Sequence, residues 1–151
     1  MLTVSDGVDS GTRDDLSGEL LAAQALAAGH EVVWRGVLPD ERDEIAACLA
    51  RLCDEDAADV VLSTGGTGFA PRDVTPEATR AVIDREAPGY AETIRAESLK
   101  HTPLGILTRG VSGIRGRTLV INFPGSPKAI GQSWPVVEPT LKHAAATLER
   151  E

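Results

Sequence analysis

Aromatic residues make up only 3% of this 151-residue chain, so Leu, Val, Ile and Ala must build its interior. Cysteine is nearly absent, and the two present, Cys48 and Cys53, cannot make a disulfide framework. They fall five positions apart on one predicted helix, roughly 140° around its axis, and cannot bridge there. They read as reduced core thiols in a reducing compartment. No secretory leader and no membrane-length apolar run is visible, so a cytoplasmic location and no membrane partner are expected. The three histidines, His30, His101 and His143, are scattered without zinc-ligand spacing and read as structural or surface residues. An excess of positive charge is also missing: the net charge is −8, which argues against nucleic-acid binding.

What is there suits one globular domain spanning 1–151, with 42% hydrophobic and 25% charged residues and enough chain to close a sizeable core. The charge is uneven. Residues 1–75 hold 15 acids and 5 bases, whereas residues 76–151 hold 8 acids and 10 bases. Between Arg95 and Lys128 six bases accompany a single acid, Glu97. That half is either an ordinary solvated surface or a face turned toward an anion.

Short apolar runs alternate with amphipathic segments. Strands are expected at 2–5, 31–37 and 59–64, the last nearly all apolar and therefore covered on both faces. The chain opens inside the first of these, so that strand is expected to be cut short at Met1. A helix follows at 18–30, with Leu16, Leu20, Ala23 and Ala27 in register, Ser17 as its N-cap and Gly29 as its stop. In "DERDEIAACLARLCDED", Ile45, Cys48, Leu49, Leu52 and Cys53 fall on one helical face. Beyond residue 75 two helices are expected, broken by Pro88-Gly89. An antiparallel strand pair turning at Arg115-Gly116, a turn and helix at 124–134, and a final helix over 136–150 complete the pattern. Strand–helix alternation of this kind predicts a mostly parallel α/β sandwich with helices on both faces. Ligands of such sheets bind beyond the carboxyl ends of the strands.

The stretch "VVLSTGGTGFAPRDVTPEAT" (60–79) carries the functional signal. Gly65, Gly66 and Gly68 follow a buried strand directly. Glycine permits positive φ and close approach to the backbone, and successive bared N–H groups form an anion-binding concavity. A tight turn without a ligand is the competing reading. No Lys-Ser or Lys-Thr follows, which excludes a P-loop, and Pro71 stands where a dinucleotide fingerprint needs its third glycine. Thr75 and Pro76 suit a helix entrance. Asp73 can serve that loop, and Asp40 can cap the helix after it. Both aspartates also follow parallel strands, so both can project over one rim of the sheet and hold Mg²⁺ beside phosphate oxygens.

The run "TGGTGFAPRDVTPEAT", with "TVSDG", "DDLSG", "LPDE" and "ILTRGVSGIRGRTLVINFPGSPKA", resembles the signature of the MogA/MoaB family of molybdenum cofactor biosynthesis, across nearly the whole chain. The resemblance implies a three-layer α/β/α, molybdopterin-binding-like fold, with a mixed sheet and an antiparallel edge, usually assembled as a homotrimer. It implies a molybdopterin adenylyltransferase that moves AMP from Mg-ATP onto the terminal phosphate of molybdopterin and hands the product to a molybdenum-insertion enzyme. By the same resemblance Asp40 and Asp73 are the essential acids that organise Mg²⁺ and the reacting phosphates. Thr64, Gly65, Gly66, Thr67, Gly68 and Arg72 match the phosphate loop, Ser5, Asp6 and Gly7 the first loop. Asp15, Ser17 and Gly18 match a stretch near the pterin, and Pro124, Gly125, Ser126, Pro127 and Lys128 a second ligand loop. Thr108-Arg109 stands where many relatives have Ser-Arg. Two other readings remain at this point: a module that binds molybdopterin without turning it over, and a different enzyme built on the same fold.

Overall fold

A computed structural model describes residues 1–149. Its six-stranded sheet runs in the order β2-β1-β3-β6-β5-β4. The strands are β1 (Leu2–Val4), β2 (Gly36–Leu38), β3 (Val60–Thr64), β4 (Arg85–Glu86), β5 (Ser112–Arg115) and β6 (Thr118–Phe123). β1 is parallel to β2 and β3, and β3 is parallel to β6. β5 returns antiparallel to β6 through the expected turn, and β4 adds an antiparallel edge.

Strand alternation explains the two apolar layers. In β6, Leu119, Ile121 and Phe123 face one side, where they pack with Leu62, Leu21, Ile94, Ile130, Trp134 and Val137. Val120 points the other way and joins Val61, Leu2, Val4, Ile45, Leu49 and Leu52. Because both faces are covered, β6 is buried along its whole length, which is why its sequence is a continuous apolar run rather than an alternating one. The first layer is roofed by α2 (Leu16–Ala27), α5 (Pro88–His101) and α6 (Pro127–Leu148), the second by α3 (Arg42–Asp54) and α4 (Thr75–Val82). A one-turn helix α1 (Asp6–Asp9) and a 3-10 helix at Pro103–Leu107 complete the structure. No helix among the described residues is long and apolar enough to cross a membrane.

Several local expectations are corrected. The strand expected over 31–37 is Gly36–Leu38, in register with Leu2–Val4 of β1; just before it the Met1 amino group donates to the Trp34 carbonyl at 2.7 Å. The buried face of α2 is Gly18, Leu21, Ala22 and Ala25, and Leu16 is 60% exposed. Its cap is Asp15, which accepts from the Gly18 amide, rather than Ser17. Pro88 opens α5 instead of ending a helix, as its fixed φ allows at a first turn. The preceding helix stops at Val82, leaving Arg85–Glu86 free to pair with β5.

The two helices expected after residue 124 are one, with Pro135 and Pro139 inside it. The ring of Pro135 would crowd the carbonyl four residues back. That carbonyl is Gly131's, and the one four residues before Pro139 is Pro135's, so the helix runs on without these two backbone bonds. The hydroxyls of Ser133 and Thr140 donate to the carbonyls of Ala129 and Val137. Cys48 and Cys53 both lie on α3 as free thiols, and burial pushes the Cys53 thiol up to about 11, far from a reactive thiolate.

Candidate active site

The sheet order places β1 between β2 and β3, so the chain leaves β1 to one side and returns on the other. This reversal opens a crevice at the carboxyl ends of β1 and β3, the usual ligand position in such sheets. The loops that meet there carry the candidate residues: Ser5-Asp6-Gly7 after β1, Asp40 after β2, the glycine loop after β3 and 124–128 after β6.

Geometry explains the glycines. Gly65 and Gly66 have φ of 96° and 64°, a left-handed backbone that costs other residues strain. A Cβ on Gly65 would lie 2.1 Å from the Val4 carbonyl oxygen, and one on Gly66 would lie 2.4 Å from Thr75 Oγ1 and 2.9 Å from Asp40 Oδ1. The loop therefore lies directly on β1 and on the Asp40 carboxylate. Thr75, expected as a helix cap, instead donates its hydroxyl to the Gly65 carbonyl, and the α4 cap position is Val74. The second loop abuts the first: Thr64 Oγ1 donates to the Pro124 carbonyl at 2.8 Å, and a Cβ on Gly125 would sit 3.2 Å from Gly65 Cα.

The two aspartates face this same loop. Asp40 does not cap α3, whose cap position is Glu41 without a side-chain bond. Its Oδ2 accepts from the Asp6 amide at 3.0 Å, while the Asp40 amide donates to Asp6 Oδ1 at 3.0 Å. Asp73 Oδ2 accepts from the Ala70 amide at 2.8 Å, closing a turn inside the loop, and it lies 2.8 Å from where a Gly68 Cβ would be. Each carboxylate keeps its Oδ1 without a protein hydrogen bond among the described residues. Burial raises the Asp40 carboxyl above its ordinary range, opposed by the Asp6 amide and reinforced by the charges of Asp6 and Asp73.

Arg72 spans the rim. Its guanidinium donates to Asp6 Oδ2 at 2.6 Å, to Asp6 Oδ1 at 2.9 Å and to Glu41 Oε1 at 2.8 Å. These bonds hold the Asp6 carboxyl below its ordinary range. Ser126 caps α6 by accepting from the Ala129 amide, with Pro127 in its first turn and Lys128 exposed beside it.

The Asp15 stretch sits to one side. Asp15 accepts from Thr3 Oγ1, and Gly18 packs so closely on Thr3 that a Cβ there would fall 2.2 Å from Oγ1. Asp15 and Gly18 line a cleft of about 230 Å³ whose wall includes Arg35, Gly36 and Thr64. Thr64 thereby joins this cleft to the glycine loop, and Ser17 does not line it. A cavity of about 320 Å³ at the opposite, amino-terminal edge of the sheet holds none of the candidate residues. His30 and His101 pair with Glu138 and Glu97, away from the crevice.

Glu41 and Thr75 were not anticipated in the site. Glu41 adjoins Asp40 in "LPDE" and was legible as a neighbour. The aim of the Thr75 hydroxyl at Gly65 follows from tertiary packing and leaves no local signal.

The family described as "Probable molybdopterin binding domain" matches residues 1–143. The molybdopterin adenylyltransferase of Helicobacter pylori (strain J99) is 40% identical over 146 residues, covering 95% of this chain and 82% of the relative. That of Haemophilus influenzae is 44% identical over 136 residues, covering 88% and 68%. The crystal structure of the molybdopterin biosynthesis enzyme MoaB from Thermus thermophilus superposes with a TM-score of 0.91 at 44% identity, covering 97% of this chain and 92% of that one. With a matching family over nearly its full length and relatives above 40% identity, this chain belongs to the MogA/MoaB family of molybdenum cofactor biosynthesis proteins.

Proposed function

We propose that this protein is a molybdopterin adenylyltransferase, joining AMP from Mg-ATP to the terminal phosphate of molybdopterin. A phosphate oxygen of molybdopterin attacks the α-phosphorus of ATP, the bond to the β-phosphate breaks, and pyrophosphate leaves. The nucleophile is already ionised at neutral pH, so no general base is required. The protein has to bring two anions into line and neutralise their charge.

One observation carries this reading: two aspartates from different loops, each with an oxygen to spare, face one glycine loop at the sheet's reversal point. The donor set fits Mg²⁺, a hard cation that takes one or two carboxylates together with substrate phosphates. Among the described residues no cluster of three or more acid, His or Cys side chains could hold a metal by itself. Asp40 and Asp73 would hold it. When bound, it supplies charge neutralisation between the reacting phosphates.

The chain's own residues do the rest. Amides of Gly66, Thr67 and Gly68 cradle phosphate, with the first turn of α6 and Lys128 on the facing loop; the Gly65 amide is spent on the Phe123 carbonyl. Arg72 offers a guanidinium at the rim. The cleft at Asp15, Gly18 and Thr64 takes the pterin side. The protein is expected to work in the cytoplasm as a homotrimer of single-domain subunits and to pass its product to a molybdenum-insertion enzyme. The deciding experiment is pyrophosphate release with purified molybdopterin, ATP and Mg²⁺. Stoichiometric release supports the reading. Tight pterin binding without release would make the protein a binding module instead.

A further inference from the structure

Arg109 is neither an acid nor a glycine of the site, yet it touches both ends of the segment from Thr67 to Asp73. Its Nε donates to the Gly68 carbonyl at 2.7 Å and its Nη2 to the Asp73 carbonyl at 2.6 Å. Its backbone amide donates to the Thr67 carbonyl at 2.8 Å. Nη1 pairs with the Glu77 carboxylate on α4, and Arg109 holds that carboxyl below its ordinary range. The side chain is 32% exposed, shielded enough for its bonds to keep their strength.

In a trans peptide the N–H points opposite to the C=O. Anchoring the Thr67, Gly68 and Asp73 carbonyls toward Arg109 therefore turns the amides of Gly68, Phe69 and Val74 away from it. The same anchor fixes the backbone from which the Asp73 carboxylate projects. Only a planar guanidinium can satisfy two carbonyls and a carboxylate in this fork; a lysine ammonium reaches one of them well. Glu77 balances the charge and keeps the guanidinium from turning toward an incoming anion.

We propose that Arg109 is the positioning residue of the phosphate loop, setting the orientation of its amides and of Asp73 without touching substrate. This rests on the adenylyl-transfer reading above. The test compares wild type, Arg109→Ala, Arg109→Lys and Glu77→Gln, each at a temperature where its unfolding curve shows it folded. Turnover is measured with molybdopterin, ATP and Mg²⁺, and binding of inorganic pyrophosphate by calorimetry. Arg109→Ala and Arg109→Lys should each lose about 100-fold in kcat, the scale of a small misplacement of reacting groups, and about tenfold in pyrophosphate affinity, equal to about 1.4 kcal/mol. Glu77→Gln should lose less of both.

Millimolar guanidinium should restore part of the Arg109→Ala activity, and an alkylammonium of similar size should not. If Arg109→Ala does not fold, Arg109→Lys carries the comparison. Folded variants with wild-type kcat and pyrophosphate affinity overturn the proposal, and so does a loss that follows only the folded fraction and ignores guanidinium. A wild type without turnover overturns the functional reading alone, because the pyrophosphate arm still reports on the loop.

Discussion

Asp6 and Asp40 exchange hydrogen bonds: each backbone amide donates to the other's carboxylate, both at 3.0 Å. The exchange ties the end of β1 to the end of β2 and holds one oxygen of Asp40 while leaving the other free. It also keeps two like charges close, and with burial as the larger cause the Asp40 carboxyl is raised above the ordinary 3.8.

Asp40→Asn should therefore stabilise the ligand-free protein while abolishing transfer. A carboxyl raised on folding binds its proton more tightly in the native state, so its contribution falls as pH rises from about 3.8 through the native value. Above that window the ionised group is a liability, and the amide removes it while its oxygen still accepts from the Asp6 amide. Thermal unfolding at pH 7 should show a higher midpoint for the variant, with the two proteins converging near pH 3. An equal or lower midpoint at pH 7 would contradict this account of Asp40.

Asp73→Asn separates chemistry from loop structure. The asparagine oxygen can still accept from the Ala70 amide, so the turn that Asp73 Oδ2 now closes should survive. What is lost is the negative charge needed to organise a cation. Pyrophosphate release is expected to fall by about 100-fold or more, with pterin binding within a few-fold of wild type. Near-normal turnover would remove Asp73 from the cation site.

Gly66→Val tests why the loop is glycine. The sequence suggests that a side chain here would obstruct the ligand's path. The structure adds an earlier obstacle, since the first carbon would meet Thr75 Oγ1 at 2.4 Å and Asp40 Oδ1 at 2.9 Å, on a backbone with φ of 64°. Strain of this kind costs on the order of 1–3 kcal/mol. The variant should unfold at a lower temperature even without ligand and should lose phosphate affinity. Lost affinity with an unchanged midpoint would favour obstruction alone.

These residues also show what was legible beforehand. The glycine loop and both aspartates could be found because strand, bend and acid follow one another within a short span, and the parallel topology brings the ends of such strands to one rim. The antiparallel edge at Arg115-Gly116 was legible for the same local reason. The bounds of β2, by contrast, follow its register with β1, a tertiary pairing that leaves no local signal. The long helix runs on through Pro135 and Pro139, and the rule that proline breaks helices misleads there. Arg109 was visible as part of "TRG", but its reach to Gly68, Asp73 and Glu77 exists only once β6, α4 and the loop have packed.

Arg72→Ala examines the exposed clamp between Asp6 and Glu41. The guanidinium lowers the Asp6 carboxyl chiefly by hydrogen bonding, with the Asp40 amide as the second cause. A carboxyl lowered on folding stabilises the protein above its ordinary value and loses that contribution as pH falls through the native value. Removing Arg72 should move the Asp6 titration up toward 3.8, readable by carboxyl-resolved NMR. The unfolding midpoint at pH 7 should barely change, because exposed ion pairs contribute little. The KM for ATP should rise several-fold, and most at low salt, if the guanidinium leaves its acids to meet phosphate. A KM that stays put while the Asp6 titration shifts would confine Arg72 to bracing the rim.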